Sequence, residues 1–295
     1  NGLNMIDVAD VYSAGISEQI VGDALTANGR RDEIVLATKV GFPTGAGQPG
    51  EFHRREHIIK SCEQSLKNLK TDRIDLYQIH RYSPIVAPEE TLGAFDELVR
   101  AGKVRFIGCS TFPAWAVVEA INISNQVGQA AYISEQPPYN LLDRRIENEL
   151  VPMAQKCNLA ILPWSPLGAG ILANRYAGGI PEGSRGSRRP QMLERLTPTA
   201  IAVGQAVADL GEKRGLTATQ MALLWCKEQT GVTAPIIGPR TIEQLQDALV
   251  ILNHTLDPEA RAACDALVSP GHAVIDFLNT SGWSKPLVVA AGENP

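Results

Sequence analysis

The chain has 295 residues, 44% of them hydrophobic and 20% charged, with a formal net charge of -5, a balance that suits one large or two ordinary soluble domains. A mildly acidic chain with no Lys/Arg-rich block has no electrostatic footprint for nucleic acid or an anionic membrane. No apolar run approaches the roughly 20 residues that span a bilayer, and no signal segment opens the chain. The expectation is therefore a soluble, cytoplasmic protein. Five cysteines (Cys62, Cys109, Cys157, Cys226 and Cys264) are scattered with no C-x-x-C pair, which predicts reduced thiols and neither a disulfide framework nor a metal centre.

The first predicted element is a short strand at Met5-Ile6 that delivers Asp7, then Tyr12, into a loop. Ile34 to Val40 is a continuous β-branched run ending at Lys39 and reads as a buried strand, followed by a Gly/Pro-rich loop. Arg54 to Leu69 has its apolar residues at helical spacing. Ile74 to His80 is the next strand, and Pro88 to Gly102 a helix with Pro at its start and Glu89 and Glu90 in its first turn. Strands follow at Val104 to Cys109, Ala131 to Gln136, Leu159 to Pro163 and Thr233 to Ile237. Between and after them, helices are predicted at Pro113 to Val127, Glu147 to Cys157, Thr197 to Gly215, Ala218 to Thr230, Ile242 to Leu252 and Pro258 to Val268.

Strands that alternate with helices and are apolar on both faces imply a parallel sheet covered by helices. An open doubly wound sheet would show G-x-G-x-x-G after its first strand, and no strand here is followed by one. The predicted fold is therefore α/β, a (β/α)8 TIM barrel. Seven strands are read where about eight are needed, so the first strand and helix are expected to be missing ahead of Asn4. Residues 1–295 are read as one barrel domain with a C-terminal tail over 270–295. In such barrels chemistry gathers where strands end. The strand ends carry Asp7 and Tyr12, Lys39, His80, Ser110, Gln136, Trp164 with Ser165, and Gly238 with Arg240.

This set resembles the aldo-keto reductases. D-x-A-x-x-Y is matched by Asp7, Ala9 and Tyr12, with Val8 where Thr is usual. The Lys-ended strand is matched at Thr38-Lys39, and D-L-Y-x-x-H at Asp75 to His80. Ile107-Gly-Cys-Ser-Thr111 is similar to I-G-x-S-N, with Thr111 in place of Asn. Trp164 to Gly170 and Ile237 to Gln244 resemble the cofactor segments. The resemblance implies an NADP(H)-dependent enzyme that interconverts an aldehyde or ketone and its alcohol, with Asp7, Tyr12, Lys39 and His80 as the catalytic set. Tyr12 would be the general acid, since an ammonium beside a phenol favours the phenolate and eases proton exchange. Asp7 would anchor Lys39, and His80 would orient the carbonyl.

For the cofactor, the resemblance implies Trp164 against the nicotinamide and Ser110, Thr111 and Gln136 at the carboxamide. Ser165, Pro166, Leu167, Gly168 and Gly170 would form a turn at the pyrophosphate, with Arg175 and Arg185 in a loop that closes over it. Gly238 and Arg240, just before a helix, would take the adenosine 2′-phosphate and favour NADP over NAD. Gln244 and Asp247 would lie near the adenine, with Asp247 where Glu is usual and Ala248 where Asn is usual.

Phe42, Tyr82 and Tyr139 are expected to line a mouth suited to an aromatic or sugar-like carbonyl. Trp115 is expected in helix packing, and Phe277 and Trp283 in a tail over the pocket. The loop Gly41 to Phe52 and Arg81 to Pro84 place the chain near the aryl-alcohol dehydrogenase and potassium-channel β-subunit branch. That branch supplies a rival, an NADPH-binding redox-sensing partner with slow chemistry. A second rival is a Schiff-base aldolase with Lys39 as nucleophile. Monomer and homo-oligomer are both open.

Overall fold

A computed structural model describes residues 2–43, 51–188 and 190–275, without the side chains of Arg185 and residues 190–192. The expectations for Arg185, Phe277, Trp283 and much of the 41–52 loop thus lie outside the described residues. The chain divides into two compact units. One runs to Gln136 and takes in Cys157–Leu159; the other holds Pro137–Lys156 and the residues from Ala160.

In the first unit, β1 (Met5–Asp7), β2 (Val35–Val40), β3 (Ile74–Ile79), β4 (Val104–Ser110) and β5 (Tyr132–Gln136) pair in chain order, every pair parallel. Four helices join them: α1 (Ile16–Asn28), α2 (Arg55–Asn68), α3 (Pro88–Arg100) and α4 (Ala114–Val127). Register decides which residues share a face. Asp7 pairs Ala37, Lys39 pairs Gln78, Gln78 pairs Gly108 and Ser110 pairs Gln136. Because side chains alternate along a strand and paired residues point the same way, these five polar residues lie on one face. The opposite face is mainly apolar, with buried polar exceptions that include Thr38 and Glu135. Tyr77 there meets Phe95 of α3 at 5.4 Å and reaches the Ile58 carbonyl of α2 at 3.5 Å.

Helix α1 falls where no helix was predicted. Its buried residues are Glu18, Gly22 and Leu25, while Ile16 and Ile20 are exposed, so the inward face lacks the apolar stripe that marks a helix. What holds it is polar. Glu18 is buried and accepts from Thr38 Oγ1 of β2 at 2.7 Å and from Asn68 Nδ2 of α2 at 2.9 Å. Gly22 lets α1 touch α2, since a Cβ there would lie 2.5 Å from the Asn68 carbonyl.

The second unit contains α5 (Leu150–Cys157, whose last residue belongs to the first unit), β6 (Ala160–Ile161), α6 (Arg185–Arg188), α7 (Pro198–Glu212), α8 (Ala218–Lys227), α9 (Ile242–Leu249) and α10 (Pro258–Leu267). Two strand predictions need correction. The run to Pro163 is a strand only over Ala160–Ile161, and Thr233 to Ile237 forms none. The two segments still touch, through Thr233 N to the Ile161 carbonyl at 2.9 Å and Ile236 N to the Pro163 carbonyl at 2.7 Å. Pro163 and Pro235 lack the amide proton a ladder needs. Among the described residues no helix is long and apolar enough to cross a membrane.

Candidate active site

The shared polar face converges on Asp7. Lys39, only 1% exposed, forms an ion pair with Asp7 through Oδ2 and donates a second hydrogen bond to the Val8 carbonyl at 3.0 Å. The other carboxylate oxygen, Oδ1, accepts from Gln78 Nε2 and from Gln136 Nε2, each at 3.0 Å. A buried ion pair is stable only when its remaining lone pairs and protons are met, and the two amides do this for Asp7. Gln78 was not singled out in the sequence. The available signal was its place two residues before His80, on the strand face that alternation aims at the site.

The chain beyond β1 is strapped to β2. Val8 N donates to the Ala37 carbonyl at 3.0 Å and Asp10 N to the Lys39 carbonyl at 3.2 Å, while Tyr12 N turns back to the Ala9 carbonyl at 3.1 Å. Tyr12 opens a single turn in which Ser13 and Ala14 are left-handed at φ 49° and 53°, a strained conformation for residues with a Cβ. The turn sets the phenol ring with its centre 5.4 Å from Lys39 Nζ and 5.6 Å from the His80 ring, edge to face. Tyr12 is 40% exposed, within reach of an incoming molecule.

His80 follows β3, its amide held by the Val40 carbonyl at 2.7 Å. Burial, then the charges of Lys39 and Arg81, push its pKa down to about 2. The imidazole is neutral around pH 7 and keeps one donor and one acceptor nitrogen. Its Nδ1 is buried and has no hydrogen-bond partner. Phe42 stands edge-on to His80 at 4.4 Å, with the Arg81 guanidinium 4.1 Å over the Phe42 ring.

The other aromatic expectations divide. Tyr82 meets Phe112 at 5.3 Å and Trp115 at 5.5 Å. Trp115 is 52% exposed, so it belongs to a surface aromatic group and not to helix packing. Tyr139, expected at the mouth, is 1% exposed in the second unit, donates its hydroxyl to Glu147 at 2.6 Å and packs on Trp225 at 5.2 Å. It is a core residue.

In the first unit Ser110 Oγ donates to the Gln136 carbonyl at 2.8 Å and lies 3.3 Å from Thr111 Oγ1. The amide nitrogen of Gln136 is taken by Asp7 and by Gln78 Oε1 at 3.3 Å. What Ser110 and Gln136 still offer is acceptor oxygens, which suit the NH2 of a carboxamide.

In the second unit Trp164 is partly exposed, its backbone clamped by the Pro137 carbonyl at 2.8 Å and the Tyr139 amide at 3.2 Å. After it the backbone is left-handed at Ser165, Gly168, Ala169 and Gly170. These residues do form a turn, and the amides of Gly168 and Gly170 are spent inside it, on the Ser165 and Leu167 carbonyls at 2.9 Å each. Arg175 is exposed beside Gly170, and Gly238 and Arg240 are exposed ahead of α9. Gln244 Oε1 accepts from Arg240 N at 2.8 Å, and the Thr241 hydroxyl caps the helix by accepting from Gln244 N at 3.3 Å. Asp247, expected near the adenine, instead accepts from Gln220 Nε2 at 2.7 Å and fixes α9 to α8.

Glu135, on the opposite face of β5 from Gln136, was also missed. It is fully buried, accepts from Phe112 N at 3.1 Å through Oε1 and leaves Oε2 without a partner. Burial pushes its pKa up from the ordinary 4.5 to about 8. The folded chain thus holds a proton that the unfolded chain sheds above its lower pKa, and stability should fall as pH rises between the two values, by up to about 1.4 kcal/mol per pH unit. Glu135→Gln keeps the acceptor and removes the titration. Its melting temperature relative to the parent should rise from pH 5 to pH 8, and parallel curves would contradict the assignment.

Residues 1–269 match the sequence pattern of the aldo/keto reductase family. The chain is 35% identical to the uncharacterized oxidoreductase YrpG of Bacillus subtilis, over 92% of this chain and 85% of that protein. It is also 35% identical to a putative voltage-gated potassium channel subunit beta of Schizosaccharomyces pombe, over 83% of this chain and 73% of the relative. Protein tas of Escherichia coli is 31% identical, over 90% and 85% respectively. With a parallel α/β sheet whose strand ends gather Asp7, Lys39, Tyr12 and His80, and a family match along nearly the whole chain, this protein belongs to the aldo/keto reductase family of oxidoreductases.

Proposed function

We propose that this chain is an NADPH-dependent reductase on a (β/α)8 barrel, interconverting an aromatic or sugar-like aldehyde or ketone and its alcohol, with Tyr12 as the acid and base. The observation that carries this reading is the Lys39 ammonium, buried, ion-paired to Asp7 and 5.4 Å from the centre of the Tyr12 ring. Reduction needs a hydride on the carbonyl carbon and a proton on its oxygen. NADPH, when bound, supplies the hydride. The proton comes from Tyr12, and Lys39 stabilises the phenolate left behind. Neutral His80 donates one hydrogen bond to the same oxygen, and Phe42 and Tyr82 flank the substrate.

The acceptor oxygens of Ser110 and Gln136 support binding of a carboxamide. The exposed Arg240 ahead of α9 supports binding of a 2′-phosphate, since a helix N-terminus and a guanidinium both favour an anion. Arg240→Ala should weaken NADPH about tenfold, the loss of roughly 1.4 kcal/mol expected for one charge-assisted contact, and leave NADH nearly unchanged. Fluorescence titration of both nucleotides checks this, and an equal loss for both would remove Arg240 from the 2′-phosphate.

The activity is tested by following reduced-nicotinamide absorbance with NADPH and a panel of aromatic aldehydes, ketones and oxidised sugars. Turnover of at least one substrate supports the reading. A second reading, a slow NADPH-binding partner subunit, draws on the relative named as a potassium channel subunit beta. Cofactor retained through purification together with very low rates on the whole panel would favour it.

A further inference from the structure

At the end of β4 the chain turns through Ser110, Thr111 and Phe112, all three buried. Thr111 is left-handed there, at φ 57°, a conformation that a β-branched residue keeps only when its surroundings hold it. What holds it is the end of β5, from two sides. Thr111 N and Ser110 Oγ both donate to the Gln136 carbonyl, at 3.2 and 2.8 Å. One residue earlier on the strand, Glu135 points to the opposite face, and its Oε1 accepts from Phe112 N at 3.1 Å. The Thr111 amide is a second donor to the same carboxyl group. A left-handed residue turns successive amides toward one side, where a single acceptor can meet both.

The acceptor oxygens of Ser110 and Gln136 stand where the shape of this turn puts them. We infer that Glu135 is a positioning residue for the nicotinamide end of the cofactor, acting through the 110–112 turn and touching no ligand itself, an assignment that rests on the reductase reading of Ser110 and Gln136.

The chemistry of the side chain agrees with this role. A buried polar group costs free energy unless it is hydrogen-bonded, and the two turn amides are what Glu135 is bonded to. With its pKa pushed up to about 8 by burial, the carboxyl is mostly protonated at pH 7 and meets the amides as a neutral acceptor. Glutamine carries a neutral carbonyl oxygen at the same reach and can replace it. Leucine fills the space and leaves the Phe112 amide without its acceptor. The Phe112 ring is anchored separately, against Tyr82 at 5.3 Å and Tyr132 at 5.9 Å, so the disturbance should stay local to the turn.

Calorimetric titration of the full chain at pH 7 with NADP+ and with 2′-phospho-ADP-ribose, the same nucleotide without its nicotinamide, separates the two ends of the cofactor. The parent should bind NADP+ the more tightly. Glu135→Leu should weaken NADP+ about tenfold, the worth of one or two buried hydrogen bonds, and leave 2′-phospho-ADP-ribose within about twofold. Glu135→Gln should return NADP+ to within about twofold of the parent. A general loss of structure would weaken both nucleotides together. Should Glu135→Leu fail to fold, Glu135→Asp keeps the carboxyl, shortens its reach by one carbon and should show the same selective loss. The proposal is overturned if the folded Leu or Asp variant binds NADP+ as the parent does, if both nucleotides weaken equally, or if Glu135→Gln is no better than Glu135→Leu. Those results leave the reductase reading standing. A parent that binds 2′-phospho-ADP-ribose as tightly as NADP+ overturns both, because it removes the carboxamide from Ser110 and Gln136.

Discussion

Tyr12→Phe should lower turnover by about 10²- to 10⁴-fold, the usual contribution of a positioned proton donor, while NADPH affinity changes less than about twofold. The ring itself should stay where it is. Its position comes from the strap between the residues after β1 and β2, from the left-handed turn at Ser13 and Ala14, and from the edge contact with His80. None of these needs the hydroxyl. Phenylalanine therefore removes the proton and keeps the shape, which separates chemistry from packing. The diagnostic pattern is a large fall in kcat with little change in KM, as expected when an interaction made only in the transition state is lost. If Tyr12→Phe retains more than a tenth of the parent's turnover, the acid is another group, and His80 with its one remaining N–H is the next to test.

How much of this was written in the sequence differs by element, for physical reasons. Strands β2 to β5 were legible because strands buried on both faces are near-continuous apolar runs, and polar residues at their ends stand out against them. Lys39 and His80 were found that way, and register then explains why Lys39, Gln78 and Gln136 meet Asp7 on the face they share with Ser110. Helix α1 was illegible because two of its three buried residues are Glu18 and Gly22, which serve a hydrogen-bond link and a close approach and leave Leu25 alone without a hydrophobic period. The 233–237 run looked like a strand by composition, but a single proline breaks the ladder.

Within the candidate site, residue type marked who could take part but not what each group was already bonded to. Tyr139 and Asp247 illustrate this. Both carry polar atoms suited to a ligand, and both have given those atoms to neighbours, Tyr139 to Glu147 and Asp247 to Gln220. A distant partner in sequence leaves no local mark. The raised pKa of Glu135 is invisible for the same reason, since burial is a property of what packs around a side chain.

The largest loss is expected at Lys39, where stability and chemistry share one group. Lys39→Met fills nearly the same volume with an uncharged side chain and leaves the Asp7 carboxylate buried with only the amides of Gln78 and Gln136 around it. Removing one member of a buried ion pair costs about 3–5 kcal/mol because the other charge stays desolvated. Denaturant unfolding should therefore show a destabilisation of that order, and turnover should fall by at least about 10²-fold because the phenolate of Tyr12 loses its neighbouring charge. Adding Asp7→Asn separates the two effects. In the double variant no unpaired charge remains, so much of the lost stability should return, with a coupling between the sites of about 0.5–3 kcal/mol. Activity should not return, since neither substitution restores an ammonium beside Tyr12. Additive stability effects would mean that the pair is not coupled in solution. Recovery of turnover in the double variant would mean that the phenol exchanges its proton without help from Lys39, and that the ion pair serves the fold alone.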